Sequence, residues 1–186
     1  MRVNKVTAII GRRGTGKTTY IRKLMKSYGE ALPYQKILIL DTLDHPDYRD
    51  IPNITIDQLK RWNKPSIYRM YGKDTDEMLQ AVEENLKNAL LILEDSSKYL
   101  RRTISNEVRS FIFDSKQKNL DIIFLFHGFQ AMPDELFRIV DNLVIFKTDN
   151  PKYRKSALTN YDEVEQVYNR VMNNPSPYYN ETIQIY

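Results

Sequence analysis

The sequence predicts a three-layer α/β fold with a mostly parallel central sheet, and three observations carry that expectation. Short apolar runs recur along the chain, they take turns with segments whose apolar residues repeat at helical spacing, and the first run leads into a glycine-rich loop. A continuous apolar run means burial on both faces, which is the situation of a strand in a parallel sheet covered by helices.

The strand candidates are residues 5–10, 36–41, 67–70, 89–94, 121–127 and 143–146. After the first, Ile21, Leu24, Met25 and Tyr28 recur at i, i+3, i+4 and i+7, a helical face turned toward a sheet. Asp74 opens a D-x-x-E box with Glu77, and Leu79, Val82 and Leu86 follow as a stripe. Ile104, Val108, Phe111 and Ile112 mark a helix expected over 104–118. A last helix begins near Asn160, whose side chain is expected to cap it while Glu163 closes the box; it carries Val164, Val167, Tyr168, Val171 and Met172 and ends at Pro175 and Pro177. Residues 182–186 alternate and are read as an added edge strand.

At 186 residues the chain suits one domain, 1–186, with a core over about 3–150 and the C-terminal helix and strand over about 158–186. Its apolar runs fall short of the roughly 18–20 residues a membrane span needs, so a soluble, cytoplasmic protein is expected. The absence of cysteine excludes disulfides and thiolate chemistry, and two histidines leave little for a transition metal. Twenty-eight basic against 24 acidic residues give a net charge of +4, which permits a polyanionic partner without demanding one.

The loop after the first strand reads Gly11-Arg12-Arg13-Gly14-Thr15-Gly16-Lys17-Thr18 and fits G-x-x-x-x-G-K-[ST] at every fixed position. Glycines let the backbone wrap around an anion with successive N–H groups pointing inward, and the helix that opens at Lys17 adds its positive end. Lys17 is expected on the β- and γ-phosphates of ATP, the Thr18 hydroxyl on Mg²⁺, and Thr19 beside them. Arg12 and Arg13 are placed with the nucleotide, an adjacent subunit or solvent.

Leu90-Leu91-Ile92-Leu93-Glu94-Asp95 resembles a Walker B strand, whose carboxylates emerge at the C-terminal edge of the sheet, where ligands bind. One carboxylate suits Mg²⁺ and the other the attacking water. The usual order is Asp then Glu, and here it is reversed. Position assigns Glu94 to the metal and Asp95 to the water, with the reverse assignment open. A third reading has Asp95 merely capping the next turn. The strands inserted before this motif favour the P-loop class with a strand between the two nucleotide strands, and the Asn-Lys-x-Asp motif of a GTPase is missing. His127, at the end of the next strand, is a candidate for the γ-phosphate or the attacking water, with Gln130 as a second.

The series formed by the phosphate loop, the Glu94-Asp95 strand, a basic helix, the strand ending in His127, and Pro133-Asp134-Glu135-Leu136 before a short apolar strand resembles the FtsK–HerA superfamily of P-loop NTPases. The likeness is to its small viral genome-packaging and Zot-like ATPases, and covers roughly residues 3–150. It implies a RecA-like (ASCE) core, ATP hydrolysis, a homo-oligomeric ring of five or six chains, and translocation of double-stranded DNA irrespective of sequence. In the packaging branch it further implies capsid or portal partners and a place in the host cytoplasm or on the virion. Ring motors also need a positive charge from the neighbouring subunit at the γ-phosphate. The candidates are Arg102, Arg109 and Arg101, then Lys116 and Lys118, each weighed against a solvated basic face.

DNA contact is expected from the basic stretches 60–64, 98–102 and 152–155. Trp62 and Tyr153 within them are read as packing on their own domain more readily than stacking on bases. Asp41, Asp44, His45 and Asp47 have no metal-loop spacing and are read as a solvated loop. Tyr161, Tyr168, Tyr178, Tyr179 and Tyr186 are expected to tie the last helix and strand to the core. Two other function classes stay open, a small-molecule kinase and a nucleotide-gated DNA-binding module with little turnover.

Overall fold

The computed structural model describes residues 4–32, 35–100, 104, 106–148, 158 and 160–185. The strands are β1 (Val6–Ile10), β2 (Lys36–Asp41), β3 (Ile67–Tyr71), β4 (Ala89–Leu93), β5 (Leu120–Phe126), β6 (Asn142–Phe146) and β7 (Asn180–Gln184). They form one sheet in the order β3-β2-β4-β5-β1-β6-β7. β1 to β6 run parallel; β7 is antiparallel to β6, with Asn180 opposite Phe146. The α/β three-layer expectation holds, and the strand boundaries fall within a residue or two of those read from the sequence.

Helices α1 (Lys17–Ala31), α2 (Ile56–Arg61), α3 (Thr75–Asn85), α4 (Asn106–Phe113), α5 (Ser115–Lys118), α6 (Asp134–Phe137) and α7 (Tyr161–Asn173) connect the strands. Alternating residues of β1, β2, β4, β5 and β6 feed two cores. Ile9, Ile39, Ile92 and Ile123 meet Ile21 and Met25 of α1 on one face. Ala8, Leu38, Leu91 and Phe124 face the other side, with Val82 of α3, Val108 of α4 and Val164 of α7 in the same cluster. All five residues of β4 are buried, so this strand is central, and each buried aliphatic side chain contributes about 1.5–3 kcal/mol.

The order places β5 between β1 and β4, the arrangement of the class expected from the sequence. The intervening strand is not one of those inserted before β4: β2 and β3 lie on its far side, and β5 follows it in the chain. Register sets Ile10 beside Phe126 and Leu93 beside Phe124, so β1, β4 and β5 release their chains at one edge.

Four local readings change. The helix expected over 104–118 divides at Asp114, whose ψ of −2° turns the backbone off the α path between α4 and α5. Asn160 precedes α7 without a capping hydrogen bond; its amide donates instead to the Ile185 carbonyl at 3.5 Å, tying the helix start to the chain after β7. The short helix α2 went unread, although Thr55 and Gln58 form a reciprocal capping box there. The loop of the Asp41 cluster is solvated only in part: Asp47 is exposed, as read, but Asp41 is not. Asp41 is fully buried and accepts from the Leu43 and His45 N–H groups at 2.9 and 2.8 Å, while Arg69 reaches both Asp41 and Asp44. A buried carboxylate holding two backbone donors and a guanidinium fixes the loop after β2 over the sheet edge.

Trp62 packs on its own domain, as read. Its ring meets Tyr68 edge-on at 5.1 Å, and its indole N–H donates to Ser66 Oγ and the Lys64 carbonyl. Tyr161 and Tyr168 pack on the core, whereas Tyr178 is 64% exposed, contrary to expectation. Tyr153 and Tyr186 lie outside the described residues.

Candidate nucleotide-binding site

The glycine-rich loop leaves β1 and returns into α1 across the sheet edge. Gly11 must lack a side chain, because a Cβ there would lie 2.5 Å from Cβ of Phe146. Gly16 stands at φ 93°, a conformation that suits glycine alone among common residues, and a Cβ would press on the Tyr178 ring at 3.3 Å. Thr15 closes the loop from within by donating its hydroxyl to the Arg12 carbonyl at 2.8 Å. No side chain caps α1 and no acidic residue stands in its first turn, so its N–H groups and positive end face the cleft.

Lys17 is buried, and its ammonium donates to the carbonyls of Gly11 and Arg12. Burial lowers its pKa, with Glu94 and Asp95 acting in the opposite direction. The folded chain thus holds a desolvated cation against the glycine-rich loop, a position suited to a polyanion.

The two carboxylates after β4 differ in surroundings. Glu94 is buried, and burial raises its pKa; the Tyr48 hydroxyl, donating to Oε2 at 3.0 Å, favours the ionised form and partly offsets that rise. Asp95 sits at φ 50° and turns its carboxylate toward His127, with Oδ1 3.8 Å from Nε2 and the Ser97 hydroxyl donating at 2.6 Å. Its side chain does not cap the turn that follows. Burial lowers the pKa of His127, with the Lys17 charge adding to the effect and the Asp95 charge opposing it, which favours the neutral imidazole.

A cleft of about 650 Å³ joins these groups. From the predicted set it takes Arg13, Gly14, Gly16, Lys17, Thr18, Thr19, Glu94, Asp95 and His127. Gly11 and Thr15 shape the loop from behind, and Arg12 points to solvent. Gln130 is exposed on the turn after β5 and does not line the cleft. Arg109 pairs with Glu135 at 2.9 Å, and Lys118 donates to the Glu83 carbonyl. Arg101 and Arg102 lie outside the described residues. Two oxygen donors line the cleft, the Thr18 hydroxyl and the Glu94 carboxylate, and groups of this kind suit a hard cation such as Mg²⁺. Among the described residues no group of three or more His, Cys, Asp or Glu forms a metal cage.

The sequence reading missed two contributors. Tyr48 is fully buried and reaches Glu94 from the loop after β2, which also brings Leu43, His45 and Pro46 to the cleft. Tyr178 enters from the turn before β7. Neither carries a local motif. Tyr48→Phe leaves a buried carboxylate oxygen without its donor, and the expected loss of unfolding free energy is about 1–3 kcal/mol near neutral pH. Protonated Glu94 needs the hydroxyl less, so the loss should be smaller at acidic pH than at pH 8. Urea denaturation of both proteins at the two pH values measures the difference.

A glycine loop that cradles anions, a buried lysine, and an acidic strand end one strand away define a P-loop nucleotide-binding site of the RecA-like (ASCE) type. The chain belongs to the family described as poxvirus A32 protein, whose pattern matches residues 3–152. Among curated protein sequences none matches. Solved structures do. The genome-packaging NTPase B204 of Sulfolobus turreted icosahedral virus 2, in complex with ATP-gammaS, superposes with a TM-score of 0.75 at 12% identity, covering 100% of this chain and 94% of that one. The same protein with AMPPCP gives 0.80 at 13% identity over 98% and 93%. The structure of B204 described as the DNA-packaging ATPase of Sulfolobus turreted icosahedral virus gives 0.77 at 15% over 100% and 94%. The expected likeness to viral packaging ATPases is borne out.

Proposed function

We propose that this protein is a viral genome-packaging ATPase that hydrolyses ATP and uses the turnover to move double-stranded DNA, irrespective of sequence, through a homo-oligomeric ring of five or six chains. The observation that carries the reading is the convergence of Lys17, Glu94, Asp95 and His127, from the ends of three neighbouring strands, on one cleft. Family membership and the likeness to B204 support it.

In this mechanism the Lys17 ammonium leaves the Gly11 and Arg12 carbonyls for the β- and γ-phosphate oxygens, while the N–H groups of the loop and of α1 hold the rest of the chain of phosphates. Thr18 and Glu94 would hold Mg²⁺, which supplies neutralising charge on the phosphate oxygens when bound. The 3.8 Å between Asp95 and His127 is too long for a good direct hydrogen bond and suits one water bound by both. The Asp95 carboxylate accepts the proton of that water as its oxygen attacks the γ-phosphorus, the bond from that phosphorus to the β–γ bridging oxygen breaks and ADP leaves with the oxygen, and His127 orients the water. A carboxylate–imidazole pair gripping water favours hydrolysis over transfer to an alcohol.

Charge building on the γ-phosphate is met by Arg102 or Arg109 of an adjacent subunit. Arg109 would exchange Glu135 for phosphate to do so. DNA contact falls in this reading to residues from the basic stretches 60–64, 98–102 and 152–155, and capsid or portal proteins anchor the ring in the host cytoplasm or on the virion. Among the described residues no helix is long and apolar enough to cross a membrane.

The test is the ATPase rate at low salt with and without saturating double-stranded DNA, alongside the oligomer mass with nucleotide. DNA should raise turnover, the mass should be a multiple of the chain, and added salt should weaken the stimulation. A monomer whose turnover ignores DNA would sink the translocation reading.

A further inference from the structure

Tyr178 is a large aromatic residue left 64% exposed, and the purpose of that exposure is visible in what surrounds it. Its ring lies against Gly16 of the phosphate loop and lines the same cleft as Lys17 and Thr18. The turn that presents it is held internally: Ser176 N–H donates to Asn174 Oδ1 at 3.0 Å, Tyr178 N–H to the Ser176 hydroxyl at 3.3 Å, and the Asn180 amide to the Tyr178 carbonyl at 3.2 Å.

The turn is also fixed to the loop through one residue. Lys147 gives its backbone carbonyl to the Arg12 N–H at 3.0 Å and its ammonium to the Asn174 carbonyl. The turn that carries the ring is therefore tied to the phosphate cradle. β7 begins opposite the C-terminal end of β6, which is why this turn reaches the ligand edge of the sheet.

We propose that Tyr178 is the platform on which the base of the bound nucleoside triphosphate stacks. The inference rests on the nucleotide reading of the cleft. An aromatic ring presented beside a phosphate site offers the base a π-face, burying apolar surface of both partners. The face accepts any nucleobase, so it supplies affinity rather than choice among bases.

Calorimetric titration of the wild-type protein, Tyr178→Ala and Tyr178→Phe with Mg²⁺-ATP and with Mg²⁺-tripolyphosphate tests this. Tyr178→Ala should weaken ATP about tenfold and leave tripolyphosphate unchanged, because only ATP carries a base. Tyr178→Phe, which keeps the ring, should match the wild type with both ligands. Unchanged ATP affinity in Tyr178→Ala overturns the proposal, including the case in which the oligomer mass changes and the ring is a subunit contact. Equal weakening of both ligands overturns it too, assigning Tyr178 to the shape of the phosphate loop. A wild-type protein that binds neither ligand would remove the nucleotide reading itself, and one that binds both equally would remove the platform alone.

Discussion

Asp95→Asn is expected to lower ATP turnover by about a hundredfold or more while ATP binding and the oligomer mass stay as in the wild type. The substitution keeps the size and the hydrogen-bonding reach of the side chain and removes its capacity to accept a proton. Asp95 stands on a left-handed backbone residue with its carboxylate toward His127, and the Lys17 ammonium donates to the Gly11 and Arg12 carbonyls rather than to Asp95, so ATP binding should persist in the variant. Glu94→Gln separates the two carboxylates. If Glu94 holds the cation, its substitution raises the Mg²⁺ concentration needed for half-maximal rate, whereas Asp95→Asn leaves that requirement in place. Steady-state kinetics across Mg²⁺ concentrations reads both, and an exchanged pattern would assign the roles the other way round.

Lys17→Ala should remove both turnover and the stabilisation that ATP gives the fold. A ligand at a hundred times its Kd stabilises a protein by about 2.7 kcal/mol, which a thermal melt detects readily. The wild type should show such a shift with Mg²⁺-ATP and the variant none. The reason lies in the desolvated ammonium: burial already makes its charge unfavourable, and a triphosphate is the partner that restores what water no longer supplies. A variant that still melts higher with ATP would show that the loop N–H groups suffice for binding.

How much of this was legible in the residues depends on whether a position answers to local or to distant physics. The phosphate loop was readable because backbone geometry alone demands glycine at Gly16 and a helix after it. The strands were readable because doubly covered strands must be apolar throughout, as β4 is. Glu94 and Asp95 were found for the same reason, as the first polar residues after such a run. Tyr48 was not legible, since its partner Glu94 is 46 residues away and nothing near it signals a buried hydroxyl. Tyr178 was placed with the core because tyrosine at an edge ordinarily packs there, and only the antiparallel pairing of β7 carries it to the ligand side. Asp41 looked like one of several loop carboxylates until the fold buried it beside Arg69.

The hydroxyl of Ser96 has a consequence beyond packing. It donates to the Leu93 carbonyl at 2.9 Å and accepts the Leu125 N–H at 3.0 Å, fully buried, just where the ladder between β4 and β5 runs out at Leu93 and Phe124. Asp95 and His127 stand one and two residues from this clasp, which ties the ends of their two strands to one another. In the proposed mechanism the strand ends that carry this pair are thus in position before ATP arrives.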